Sequence, residues 1–171
     1  MPIPKLQKAY NVFIDGRHYA GKAECEPPTL SITTEDYAAG GMSGVAKVDM
    51  GRFEPIDLKF SLYEYNRDVI TQWGLIDGRA VQVTLRAAQV DDENETTEAV
   101  VIEAEGQVHE FAPGGWESAS KDASKTEFTM NCRKYKLSVA GATLIEVDVE
   151  LMTRIIDGTD QMQDLRAAIG F

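Results

Sequence analysis

The sequence predicts a mainly β fold: an antiparallel β-sandwich or barrel with one short flanking helix and a short C-terminal helix. Three observations carry this. Apolar side chains recur at period two through the middle of the chain, turn dipeptides separate those runs, and two stretches alone have helical spacing. The 171 residues fit one domain, taken as 1–171, long enough to enclose a real core.

In chain order, Asn11-Val12-Phe13-Ile14 runs into Asp15-Gly16, a dipeptide suited to a tight hairpin turn, and Arg17 to Ala23 is expected to return antiparallel. Asn66 is placed to cap a short helix: Asp68 suits its first turn, Val69, Ile70 and Trp73 share a face, and Gly74 ends it. From Val81 to Ala87 the apolar Val81, Val83, Leu85 and Ala87 alternate with Gln82, Thr84 and Arg86. Asp91 to Glu98 is polar throughout and reads as a solvated hairpin tip. Beyond it, Val100, Ile102, Ala104, Gly106 and Val108 oppose Glu103, Glu105, Gln107 and His109, so the polar face of that strand carries acid.

The segment Phe128 to Val139 changes phase, because Phe128, Met130 and Cys132 are even but Tyr135, Leu137 and Val139 are odd. One extra residue near Arg133 reconciles the halves and predicts a bulge. Ala140-Gly141 then turns a second hairpin into Thr143 to Val147. A last helix is expected from about Asp160 to Ala168, with Met162, Leu165 and Ile169 on one stripe and Gly170 as its stop.

Tyr37 to Arg52 fits neither pattern and reads as a long connection. It holds four glycines, Gly40, Gly41, Gly44 and Gly51, among Met42, Val45, Val48 and Met50. So many apolar side chains on a flexible segment would be exposed without a partner to cover them, which marks a contact arm over about 37–52.

Composition limits the function. Hydrophobic residues make up 43% and charged residues 26%, which excludes wholesale disorder, collagen-like repeats and a disulfide-rich miniprotein. Seventeen Lys and Arg against 28 Asp and Glu give a net charge of −11, the wrong sign for a broad grip on phosphate backbones. Met1-Pro2-Ile3-Pro4-Lys5 has no apolar signal core, and no apolar run nears the ~18 residues of a membrane span, so a soluble cytoplasmic chain is expected. In that compartment Cys25 and Cys132 are expected to be free.

No chemistry emerges. His18 and Cys25 lie seven apart, on opposite faces of a regular strand, which gives no zinc site. The 91–98 run lacks the register of a calcium loop, and Gly40-Gly41-Met42-Ser43-Gly44 lacks the Walker lysine and a following helix. Asn94-Glu95-Thr96 matches the glycosylation triplet by chance in a chain without a secretion signal. There is no nucleophile elbow and no Cys–His pattern, and the carboxylates Glu103, Glu105, Glu146, Asp148 and Glu150 read as a wet sheet face. Trp73, Trp116, Phe60, Tyr63 and Phe111 are taken as core or interface anchors. Neither catalytic residues nor a cofactor or metal is expected.

The order of these features matters more than any one of them. Asn11 to Gly16 opens a hairpin; Glu35-Asp36-Tyr37-Ala38-Ala39-Gly40-Gly41-Met42 precedes Val48-Asp49-Met50-Gly51. Ile156-Asp157-Gly158-Thr159-Asp160-Gln161 leads to Leu165-Arg166 and Ile169-Gly170-Phe171. With the Tyr135 to Val139 and Ile145 to Asp148 strands, this closely resembles the major tail tube proteins of contractile-tailed bacteriophages, and is similar to the tube proteins of R-type pyocins.

The resemblance implies six copies in a ring, with inner sheets joined around a lumen and rings stacked into the inner tube of a virion tail. It makes the 37–52 segment an inter-ring stacking arm (Tyr37, Gly40, Gly41, Met42, Val45, Val48, Met50, Gly51) and gives Met162, Leu165, Ile169 and Phe171 to contacts between subunits. The implied partners are further copies of itself, tail sheath, baseplate and tail terminator proteins, and genomic DNA passing without specific binding, after assembly in the host cytoplasm. Glu103 and Glu105 would then belong to an acidic lumen face that repels passing phosphates. Two rivals remain: a tube subunit of a genome-free injection particle, and a small-ligand-binding β-barrel, for which no convergent polar pocket is found.

Overall fold

A computed structural model describes residues 4–18, 23–76, 78–116, 118 and 125–171. In order it contains β1 (Leu6–Ile14), β2 (Arg17–His18), β3 (Ala23–Glu26), β4 (Ile32–Tyr37), β5 (Ala46–Phe53), β6 (Asp57–Leu62), α1 (Arg67–Ile70), β7 (Val81–Asp91) and β8 (Thr96–Ala112). It continues with β9 (Thr126–Val139), β10 (Ala142–Asp148), β11 (Thr153–Ile156), β12 (Thr159–Asp160) and α2 (Gln163–Ile169). The fold is mainly β and every strand pairing is antiparallel, as the alternation predicts.

The main sheet runs β12-β11-β10-β9-β8-β7-β1-β2 and forks at β9. The first half of β9 pairs β6, from Leu62 opposite Thr126 to Asp57 opposite Asn131; its second half pairs β10, from Asp148 opposite Lys134 onward. The changeover falls at the phase flip. Glu105 faces Lys134 and Gly106 faces Cys132, so Arg133 is the extra residue of the expected bulge. Beside it the Cys132 N–H donates to the Ile56 carbonyl at 2.7 Å and the Val149 N–H to the Arg133 carbonyl at 2.9 Å. A bulge bends its strand and locally raises its twist, and here it sends β6 and β3 one way and β10 to β12 the other.

The apolar faces of both branches enclose one cluster. Val12 and Ile14 from β1, Leu58, Phe60 and Leu62 from β6, Val81 and Val83 from β7, Ala104 and Val108 from β8, and Phe128, Met130 and Cys132 from β9 are all buried. Phe60 stacks on Phe128 at 5.0 Å between centroids, and Phe111 tilts against Phe128 at 5.5 Å. Helix α1 closes this cluster with buried Val69. The Asn66 side chain accepts from the Asp68 N–H at 3.0 Å as the expected N-cap, and Trp73 lies half exposed against Phe111.

Four expectations are corrected. The 37–52 segment is not a connection: with residues from Ile32 to Phe53 it forms β4 and β5, a two-stranded ribbon outside the main sheet. The 91–98 tip is shorter than expected, because the strands extend to Asp91 and from Thr96. Asp91 is also buried and accepts from the Glu93 and Asn94 N–H groups and the Asn94 side chain. Helix α2 starts at Gln163, and of its expected stripe Met162 alone is buried, with Leu165 and Ile169 turned outward. The strand returning from Arg17 pairs with β1 through His18; residues 19–22 lie outside the described residues, and β3 pairs β6 instead.

Candidate assembly surfaces

The β4–β5 ribbon places Tyr37 opposite Ala46, Glu35 opposite Val48 and Thr34 opposite Asp49. Every residue from Glu35 to Met50 is exposed, among them Tyr37, Met42, Val45, Val48 and Met50, with Val45 at 64%. A free two-stranded ribbon is marginal in water, so its root has to hold it. There the register slips: Ile32 faces Phe53 while Thr34 faces Asp49, which leaves β5 two residues longer across Met50 to Arg52. Gly51 takes a positive φ of 69° at this kink, and a Cβ there would lie 3.3 Å from both Leu165 and Met162. The Asp49 carboxylate accepts from the Gly51 N–H at 2.7 Å and pairs with Arg154 of β11 at 2.8 Å. These two bonds, the Gly51 N–H first, hold the Asp49 carboxyl below the usual carboxylate range.

The C-terminal residues continue this surface. Met162 anchors the start of α2 in the protein, while Leu165, Ile169 and Phe171 point outward at 45%, 63% and 67% exposure. Arg166 fixes the helix by donating to the Met152 carbonyl at 2.9 Å and to Asp160 at 2.5 Å. The Arg166 and Met162 bonds hold the Asp160 carboxyl low. At the far edge of the sheet, β2 pairs β1 at Phe13 and Ile14, and the exposed Leu6 and Tyr10 lie further along β1. Trp116 is 90% exposed, its indole N–H donating to the Tyr65 hydroxyl at 3.0 Å, whereas Phe60 belongs to the core.

Glu103 and Glu105 do lie on the polar face of β8, but not as an unrelieved acidic stripe. Lys136 stands opposite Glu103 and Lys134 opposite Glu105, at 3.9 and 3.6 Å, and on the next strand Glu146 and Asp148 flank the same lysines. Two rows of alternating sign cross the sheet. Exposed pairs of this kind contribute little to stability; their effect is on the field the face presents. The acids stand out in the sequence, whereas the lysines that face them are legible only once the strands are put in register.

Among the described residues no group of three His, Cys, Asp or Glu side chains could hold a metal ion, and no helix is long and apolar enough to cross a membrane. A cleft of about 380 Å³ beside β3 and β6 is lined by Glu24, Glu26, Glu110 and Glu127 against Lys59 and Lys125, with Lys125 paired to Glu24 at 2.9 Å. The His18 side chain lies outside the described residues. Cys25 and Cys132 are free thiols, and burial, the larger cause for each, pushes both up to about 12. Only the thiolate reacts. At pH 8 both should therefore label with a thiol reagent roughly a thousandfold more slowly than an unhindered cysteine, and at the ordinary rate in denaturant; prompt labelling of the folded protein would contradict this burial.

Comparison with known proteins points one way. Residues 4–170 match the family model described as phage tail tube protein FII. The chain is 31% identical to the tail tube protein of Escherichia phage P2, over 99% of both chains. It is 28% identical to the major tail tube protein of Serratia phage KSP20, over 87% of this chain and 85% of that one. Its fold is similar to a chain of a cryo-EM structure titled as the sheath/tube terminator of an extracellular contractile injection system, PVC, in the extended state. That similarity has a TM-score of 0.57 at 13% identity, over 81% of this chain and 97% of the other.

Proposed function

From the premise that the chain belongs to the phage tail tube family, a structural component of the virion tail and not an enzyme, we propose that six copies close into a ring. Rings stack into the inner tube of a contractile tail and form the channel for DNA delivery. The observation that carries this is the β4–β5 ribbon, an apolar arm outside the main sheet that nothing among the described residues covers. Ribbon residues Tyr37, Met42, Val45, Val48 and Met50 contact the next ring. Leu165, Ile169 and Phe171 contact a neighbouring subunit, and Met162 seats their helix.

Head-to-tail contacts of this kind extend without limit along one axis, as a tube requires. Copies assemble in the host cytoplasm, and the finished tube meets the sheath outside it and the baseplate and terminator at its ends. DNA passes through the bore without specific binding. Six subunits carry a formal charge of −66, from −11 each. The face bearing Glu103 and Glu105 lines the bore, where its lysine rows temper the repulsion of phosphates and keep DNA moving.

Light scattering and negative-stain microscopy of the purified protein test this reading. Six-fold rings and rods are expected; a monomer that stays self-contained at high concentration overturns it. A bore that proves strongly positive overturns the lumen assignment.

A further inference from the structure

We propose that Asp49 and Arg154 form a latch that fixes the direction of the ribbon, so that ribbon and C-terminal helix meet a second copy as one preset surface. This rests on reading the ribbon as the stacking arm, and adds a positioning device that lies outside its contact residues. The latch sits at the kink. The β5 strand carries two extra residues there, and Gly51 holds a left-handed backbone, the kind of local irregularity about which a ribbon can swing. An unrestrained swing would have to be arrested at each stacking event, with a loss of entropy that preorganisation avoids.

Two contacts close this freedom. Leu165 and Met162 pack against Gly51, filling the space a side chain would need, and Arg154 holds Asp49 at 2.8 Å. The Arg154 side chain is 13% exposed, its guanidinium lies 5.8 Å from the centroid of the Phe53 ring, and its Nε is buried without a hydrogen-bond partner among the described residues. An enclosed cation with so few acceptors depends on the Asp49 carboxylate, which it meets through one nitrogen. Arg154 is also tied to the helix side, since its carbonyl accepts from the Gln161 N–H at 2.8 Å, immediately before Met162. The exposed Leu165 therefore borders the ribbon root at Gly51, and a second copy is the occupant because a tube offers each subunit further copies of itself along its length.

Asp49→Asn is the test, because it can keep the bond from the Gly51 N–H while removing the charge that Arg154 meets. The critical concentration for tube growth is expected to rise about fivefold, the effect of one partly exposed ion pair, with trypsin cutting faster at Lys47 and Arg52 and the melting temperature falling by about 3 °C. Arg154→Lys, which restores a cation, should recover part of the loss that Arg154→Gln suffers. Growth of the Asp49→Asn protein at the parent concentration, with unchanged trypsin cutting, overturns the latch. If removal of the ribbon also leaves growth unchanged, the stacking arm itself is wrong; if removal blocks growth while Asp49→Asn has no effect, the latch alone is wrong.

Discussion

Excision of residues 35–48, with Thr34 joined to Asp49 through an Asn-Gly turn, is expected to abolish tube growth and leave the subunit folded. Thr34 and Asp49 face each other across the ribbon, so a two-residue turn closes the gap without disturbing the register below it. Asp49, Gly51 and their contacts with Arg154, Met162 and Leu165 remain. None of the removed residues is buried, so the core loses nothing and the melting temperature should stay within about 3 °C of the parent. The loss is at the interface. Tyr37, Met42, Val45 and Val48 go together, and covering each in a stacked ring contributes about 1 kcal/mol or more, which makes the critical concentration rise at least about a thousandfold. Microscopy should show rings and no rods. Val45→Glu places a charge at the most exposed of these positions and should produce the same defect with the chain length intact. Rods of normal length from either variant would remove the arm from the stacking contact.

The central strands were legible because each has one buried face, and a half-buried strand writes its orientation into alternate residues. Even the Arg133 bulge was legible, since a phase flip from Phe128 and Cys132 to Tyr135 and Leu137 has no other simple cause. A second flip, between Val108 and Phe111, carries the same signal, and it places His109 at a bulge instead of on the regular polar face expected of it. The β6 strand, with Leu58, Phe60 and Leu62 buried at alternate positions, and the Asp157-Gly158 turn between β11 and β12 carry the same kind of pattern and were not among the expectations.

The ribbon was not legible as strands for a physical reason. Exposed on both faces, it has no buried side to impose a period of two, and the kink at Gly51 breaks what alternation there is. Helix α2 shows the complementary limit. Its apolar spacing correctly announced a helix with something to cover, but the same stripe serves a core and a partner alike, and Leu165 and Ile169 turned outward. The charge rows needed register as well, because Glu103 and Lys136 are neighbours across strands and distant in sequence.

Gly106→Ala should be the most damaging single-methyl change in the subunit. Gly106 has no unusual φ, so backbone strain is not the issue; the issue is what lies beside it. A Cβ at this position would stand 1.9 Å from the Asn131 carbonyl oxygen, 2.7 Å from its carbon and 2.8 Å from the Cys132 Cα. All three atoms are backbone, in β9 immediately before its Arg133 bulge, and no rotamer change can clear them. Relief requires β8 and β9 to separate at the place where β9 passes from β6 to β10, which would strain the Cys132 N–H bond to Ile56 and the ladders on both sides. Overpacking against backbone in a buried sheet costs about 3 kcal/mol or more, which for a chain of this length lowers the melting temperature by roughly 10 °C. Thermal unfolding followed by circular dichroism measures it, and the fall should accompany faster labelling of Cys132 and a lower yield of assembled tube. An alanine variant as stable as the parent would show that the two strands do not approach so closely at the bulge, and that the fork in the sheet is built some other way.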